Sequence, residues 1–480
     1  MASQWNLASF ATLGALLTLP LAACSQQTTS PADRAAAGDV LRSGATTRAL
    51  EYRFTNDDEK LLDEIQHACF LYFWREVGSP AALVKDRMKG PVASIAAVGF
   101  QLSSLPIGVE RKWITRAEGE QRAATVLRSL LERSDNRKWG MYLHFPDLNT
   151  GGLSTAGYLT EASTVDTALL LAGAIPAAEY FGGDVAKLVD RMLAEADWKR
   201  YAVSPDGFIA MAWQPTDQKG NLDGPGDFTK WHWWVASDEE RLVYFLAVGA
   251  PDAAHAVPPE TYYKLKRTLG RHGDMDPFVL SWPGCMFTYF FAHCWIDYRS
   301  LGADDPGRLG VEGPRVDWFE NSRRAALTHR ARCIELGGNF NTPSAERWGM
   351  APCAGRDGYM VPEVKPNLSG SEQLFEGTIA PYAAGSCLPF TPAESLAALR
   401  AFRDLKAADG SPLVWRDPET GGYGLVDSFN LDQNYAHDDY IGIDQGPLLL
   451  AIENTRTGLI WKLFMQSATA KRAAERLKLK

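Results

Sequence analysis

Residues 437–465, HDDYIGIDQGPLLLAIENTRTGLIWKLFM, restrict the possible folds more than any other stretch of the chain. Two aspartates and Tyr440 come first. LLLAIEN then reads as a buried helix, with apolar residues recurring at helical spacing and Asn454 and Gly458 placed to end it. Residues 161–175 repeat the order: acids and hydroxyls first, then the wholly apolar ALLLAGAI. A helix apolar on every side must be enclosed by other elements. Taken singly, Asp438 and Asp439 read equally well as helix-start carboxylates held by free N–H groups and the dipole. The recurrence supports the alternative, an acidic and aromatic rim at one end of packed helices.

From Asn56 onward, helical patterns alternate with long loops rich in Gly, Pro and Trp. The periodicity predicts helices at 57–76, 93–104, 116–134, 161–181, 184–198, 237–249, 259–269, 314–336, 376–386, 392–407 and 442–465. Thr115 and Thr391 precede an acid in the first turn and read as N-caps. Strand candidates are short, 207–213 and 422–426, and suit β-ribbons in loops. Loops at 136–160, 214–233, 299–313 and 337–375 are of the length that binding loops have. No short-period repeat is evident, which disfavours a solenoid. About a dozen paired helices fit an all-α, (α/α)6 barrel: six hairpins in a toroid, in one domain at 51–470. An irregular all-α domain is the alternative.

The chain has 480 residues, a net charge of −9 and a pI near 5.5, which argues against a nucleic-acid partner. Fifteen Trp and sixteen Tyr offer faces that stack on sugars as well as core. Residues 1–24 read as a lipoprotein-type signal, apolar from Leu7 to Ala23 and ending Leu21-Ala22-Ala23-Cys24, although its first five residues carry no Lys or Arg. Cys24 would be the lipidated first residue of an exported periplasmic or outer-membrane protein, and 25–50 a flexible tether. Six further cysteines carry no CxxC and no zinc spacing, so no metal and no cofactor is expected. Cys333 and Cys353, flanking a Gly/Pro-rich loop, are the expected disulfide. A monomer is expected.

Phe73-Trp74, Asp86-Arg87, Pro106-Ile107-Gly108, Glu161 to Ala168, DWFENSRR from Asp317, Gly377-Thr378-Ile379-Ala380-Pro381 and DDYIGIDQGP occur in this order. Together, over about 55–467, they resemble the bacterial glucoamylase-like (glycoamylase) family, which includes endo-β-1,2-glucanases. The resemblance implies an (α/α)6 barrel with an active cleft at one end and an inverting mechanism. Three departures stand out. Ser237 occupies the place where the family more often has Tyr, Glu376 replaces an expected Asp, and the loop 148–160 is short of acids.

Cleaving a glycoside needs one protonated carboxyl and one carboxylate that activates water or attacks the anomeric carbon. An apolar or aromatic setting raises the pKa of the acid. Glu239 follows Trp231, Trp233 and Trp234 and opens a helix, and the resemblance puts it in the cleft as general acid. Candidates for the base are, in order, Glu161, Asp439, Asp147 and Asp166, with Asp444 as a residue that orients a loop. Trp213, Trp234 and Trp348 are candidate stacking platforms, and Arg87, Tyr440 and Gln445 candidate hydroxyl partners. Each has a plainer reading as core, and Asp86–Arg87 as a structural ion pair. His293 reads as a satisfied wall residue. No esterase, zincin, P-loop or dinucleotide motif appears in its required context. The expected activity is hydrolysis of a β-glucan, β-1,2-glucan foremost, by internal cleavage. The alternatives are a glycan-binding lipoprotein without catalysis, and a polysaccharide lyase, which would need cationic groups to neutralise a uronate and is disfavoured by the acidic balance and only eight His.

Overall fold

The structure is a computed structural model that describes residues 52–158, 160–216 and 220–479. The expected signal segment with Cys24 and the expected tether lie outside the described residues. No described helix is long and apolar enough to cross a membrane.

The chain folds as an (α/α)6 barrel. Its outer helices include α1 (Asn56–Arg75), while α2 (Ile95–Glu110) begins the inner ring. Then follow α3 (Arg116–Leu131, outer), α4 (Thr164–Phe181, inner), α5 (Gly183–Glu195, outer) and α6 (Asp238–Val248, inner). The fourth pair is abbreviated, with a short outer helix at Pro259–Lys264 and two 3-10 turns, Met286–Tyr289 and Ala292–Cys294, inside. The last pairs are α7 (Trp318–Leu336) with α8 (Pro381–Ser386), and α9 (Pro392–Asp404) with α10 (Gly442–Arg456). α10 packs back on α2 and closes the ring, while α11 (Leu459–Gln466) and α12 (Ala468–Arg476) cover α4 and α6.

Sequence decides which helix goes inside. Every residue from Ile95 to Gly108 in α2 is buried, so this helix has no face for water. α5 buries only Val185, Val189, Met192 and Leu193, one stripe at helical spacing, and lies outside. α2 and α4 approach so closely that a Cβ on Gly173 would stand 1.9 Å from the carbonyl oxygen of Gly99. Only glycine permits that crossing.

The predicted helices are found, with informative differences at their ends. The segment 442–465 is two helices, because Gly458 turns left-handed at φ 68°. The segment 376–386 starts only at Pro381, after Glu376 at φ 50°. Thr115 makes the expected capping box with Glu118, whereas the Thr391 hydroxyl bonds Cys387 O and caps nothing. Cys333 and Cys353 are both free, buried thiols, which corrects the expected disulfide. The strand at 207–213 is realised as Ala212–Pro215 and that at 422–426 as Gly424–Leu425, both in loop ribbons.

All six inner elements run in the same direction, so the loops that lead into them share one end of the barrel. These are the long ones, at 76–94, 132–163, 202–237, 265–285, 337–380 and 405–441, whereas inner-to-outer turns such as Gly182 and 387–391 are short. Antiparallel bridges lace the long loops into a collar: Lys85 with Ala93, Val92 with Asp147, Leu143 with Ala162, and Arg87 with Ile441.

Candidate active site

Helix α6 opens with three consecutive acids, and the structure gives each a different fate. Asp238 turns inward to the guanidinium of Arg241, which itself lies over Trp318 and Tyr298. Glu240 is buried and accepts the hydroxyl of Ser237. Glu239 is half-buried and, among the described residues, has no hydrogen-bond or ion-pair partner. Its carboxyl is pushed well above the ordinary range, first by burial and then by the charges of Glu240, Asp166 and Asp238. Glu239 therefore holds its proton more tightly than an ordinary glutamate.

A second group forms where 143 pairs with 162. That bridge sets His144 against Glu161, with the His144 N–H bonded to the Glu161 carbonyl at 3.1 Å. The ring then stands between two carboxylates, Nδ1 3.6 Å from Glu161 Oε1 and Nε2 3.5 Å from Asp166 Oδ1, and stacks on Phe145 at 3.7 Å. Burial opposes its charge, yet Asp166, Glu161 and Asp86 prevail and raise its pKa to about 9. Glu161 also accepts Gln214 Nε2 at 2.9 Å. Burial works against its charge, but His144 and Gln214 hold it below the ordinary range. Asp166 is raised, by burial first, although His144 and the Ser163 hydroxyl pull the other way.

The third group joins the strip 86–89 to 439–442. Met88 N–H bonds Tyr440 O at 2.9 Å and Gly442 N–H bonds Asp86 O at 2.8 Å. Asp439 Oδ1 accepts the Lys89 and Tyr440 N–H groups, each at 3.0 Å. Arg87 pairs with Asp86 at 3.3 Å and lies 5.9 Å from the Tyr359 ring centre. Behind it lie the buried carboxyls of Asp427 and Asp444, both pushed above the ordinary range, by burial foremost and, for Asp444, next by the charge of Asp427. Asp438 is exposed and pairs with Lys89 at 2.5 Å. Neither Asp438 nor Asp439 caps α10, whose N-cap is Ile441.

This end of a helical toroid, ringed with carboxyls around a cationic imidazole, is suited to acid–base chemistry on a neutral polyol. Residues 231–468 match the family model Glycoamylase, described as "Putative glucoamylase". Over that stretch the chain is similar to the glycoamylase family. It is 27% identical over 468 aligned residues to the exo β-1,2-glucooligosaccharide sophorohydrolase (non-reducing end) of Parabacteroides distasonis, a match covering 90% of this chain. It spans about three fifths of that relative, 59% of its length. The crystal structure of a β-1,2-glucanase from Parabacteroides distasonis superposes with TM-score 0.72 at 25% identity, over 89% of this chain and 60% of the other. An endo-β-1,2-glucanase from Chitinophaga pinensis, in complex with sophorotriose and glucose, gives 0.73 at 20% identity, over 88% and 98%.

The expected site residues divide. Glu239, Glu161, Asp166, Asp439 and Arg87 gather at the collar with His144, which sequence reasoning passed over as a neighbour of Asp147. Asp147 itself is spent on its own turn, where Oδ1 accepts Asn149 N, Thr150 N and the Thr150 hydroxyl at 2.8–3.1 Å. Trp213 and Trp348 offer no stacking face, because both are core residues, and Trp213 packs on Trp139. Tyr440 is likewise buried against Tyr423, its hydroxyl donating to Gly424 O, and Gln445 is buried in the first turn of α10. Trp234 stays half-buried at the rim. His293 is buried against the Ser322 hydroxyl at 2.9 Å, as a wall residue. Asp427 and Tyr359 were not anticipated; nothing in their local sequence marks them. Among the described residues, no group of three His, Cys, Asp or Glu could hold a metal ion.

Proposed function

We propose that this chain is a glycoside hydrolase that cleaves β-1,2-glucan. The observation that carries the reading is Glu239: of three adjacent acids, it alone is unpartnered and half-buried at the mouth, with its carboxyl biased toward the protonated form. That is what a general acid for a glycosidic oxygen requires. The relatives support the substrate, since those named above are a β-1,2-glucooligosaccharide hydrolase and β-1,2-glucanases.

The base we assign is Asp439. Both Glu161 oxygens are engaged, by His144 and Gln214, and Asp166 is biased toward its neutral form. Asp439 has one oxygen fixed by two N–H groups and, among the described residues, no hydrogen-bond partner on Oδ2. α10 is three places from α6 around the inner ring, so Asp439 approaches from across the mouth. Such opposition leaves room for a water and favours inversion, for which the carboxyls stand roughly 6.5–9.5 Å apart. Sugar-facing groups continue on both sides of Glu239, with Arg87 across the mouth and Trp234 outside it, and this supports internal cleavage. Incubation with a panel of glucans of different linkage, followed by product chromatography, tests the reading. Products of mixed length from β-1,2-glucan alone are expected; sophorose as sole product would mean end-wise release, and no turnover of any glucan would overturn the assignment.

We propose also that Cys24 is lipidated and anchors the chain at the periplasmic side of a membrane, the outer one because Ser25 and not Asp follows it. Metabolic labelling with a fatty acid should mark the wild type and not Cys24→Ala. An unlabelled wild type would reject the anchor.

A further inference from the structure

Outside the carboxyl ring, a cleft at the lip is walled by the half-buried rings of Phe208, Trp231 and Trp234, with Asp206, Lys230 and His232 along its edge. Trp234 is backed edge-on by Trp282, 6.1 Å away, and Lys230 Nζ lies 4.6 Å over the Trp231 ring. Burial lowers the pKa of His232, so its ring is neutral near pH 7 and has one donor and one acceptor. Flat apolar faces beside neutral and charged hydrogen-bonding tips match one ligand chemistry, a sugar with an apolar C–H face and hydroxyls around its edge.

The backbone under these rings is clamped on both sides. Met211 N–H bonds Trp231 O and Trp233 N–H bonds Ile209 O, both at 2.9 Å, while Lys266 N–H bonds Trp234 O at 2.8 Å on the other edge. The backbone that carries the rings is thus fixed before any ligand arrives, which reduces the ordering cost of binding. The same strip runs directly into Ser237, the N-cap of α6. Trp234 precedes Glu239 by five residues, which span at most about 18 Å, a few sugar rings.

We propose that this lip cleft is an accessory binding site for glucosyl units of the same glucan chain, remote from the bond being cleaved, with Trp231 as its stacking platform. The proposal rests on the reading of the chain as a glucan hydrolase, but its test measures binding and not turnover. Full-length Glu239→Gln is titrated calorimetrically with β-1,2-linked oligosaccharides of increasing length, alone and combined with Trp231→Ala or Trp231→Leu. The parent should bind longer chains more tightly. Both Trp231 variants should lose that gain, about tenfold in Kd for the longest chain. Leucine keeps the apolar bulk without a flat face, so a poorly folding alanine variant leaves the test intact.

Equal affinity of parent and Trp231→Leu for the longest chain would overturn the proposal, as would a parent whose affinity does not grow with length. If the wild type cleaves no glucan, yet the length-dependent gain is present and Trp231 abolishes it, the lip site stands and the hydrolase reading falls.

Discussion

His144 Nδ1 stands 3.6 Å from Glu161 Oε1, with the two residues brought together by the bridge between Leu143 and Ala162. This pairing has a thermodynamic signature. The raised His144 pKa, about 9 against an ordinary 6.5, stabilises the fold fully below pH 6.5, and that contribution is lost as pH rises toward 9. The lowered Glu161 pKa acts in the other window, with its contribution complete above the ordinary 4.5 and lost on acidification. The two shifts share the His144–Glu161 contact, but the His144 rise also draws on Asp166 and Asp86. Stability from this cluster should be greatest between about pH 4.5 and 6.5, and the loss by pH 9 should be on the order of a few kcal/mol. Urea unfolding from pH 5 to 9 checks this: His144→Gln should flatten the alkaline decline relative to wild type.

Glu239→Gln should lower kcat by at least about 10²–10⁴ while oligosaccharide binding persists. It should also stabilise the protein at pH 7. The folded state holds a proton on Glu239 that the unfolded chain releases, so wild-type stability falls as pH rises above the ordinary carboxylate range. Glutamine removes that penalty. Loss of activity together with a higher urea midpoint is the expected pair of results; near-normal turnover would remove Glu239 from the chemistry.

Asp427 and Asp444 are buried together, and both carboxyls are pushed above the ordinary range. The folded state therefore binds more protons than the unfolded one between the ordinary carboxylate range and neutrality, and stability should fall across that interval. Asp444→Asn removes one of the two carboxyls, and the slope of unfolding free energy against pH should shrink between pH 4.5 and 7. An unchanged slope would show that the pair is not raised.

Tryptophans of similar sequence setting should behave oppositely. Trp348 is fully buried, and Trp348→Ala should cost about 3–5 kcal/mol through the cavity it leaves. Trp231 is half-buried at the lip, and its truncation should shift the unfolding midpoint far less. Thermal melts of the two variants side by side make the comparison.

The barrel was legible in the chain because its two helix classes carry different periodicities. Segments such as ALLLAGAI are apolar on every face and have no stable place except inside, whereas 183–195 shows one apolar stripe and belongs outside. Loop lengths then indicated one busy end. Glu239, Glu161, Asp166 and Asp439 lie at that end because each stands in the first turn of an inner helix or just before it. What the chain could not reveal was which polar groups other loops would claim. Asp439 is held by Lys89, 350 residues away in sequence, and His144 owes its charge to Glu161 and Asp166. Asp147 and Glu240 are consumed by their own turns.

Sequence by itself determined the helical toroid and the end at which acids would collect, since periodicity and helix-start residues are local properties of the chain. Tertiary structure alone decided which carboxyl stays free, which tryptophan keeps an open face and which cysteines remain apart. Exposure, charge and pairing at one residue depend on groups hundreds of positions distant, and those meet only when the ring closes through α10 and α2.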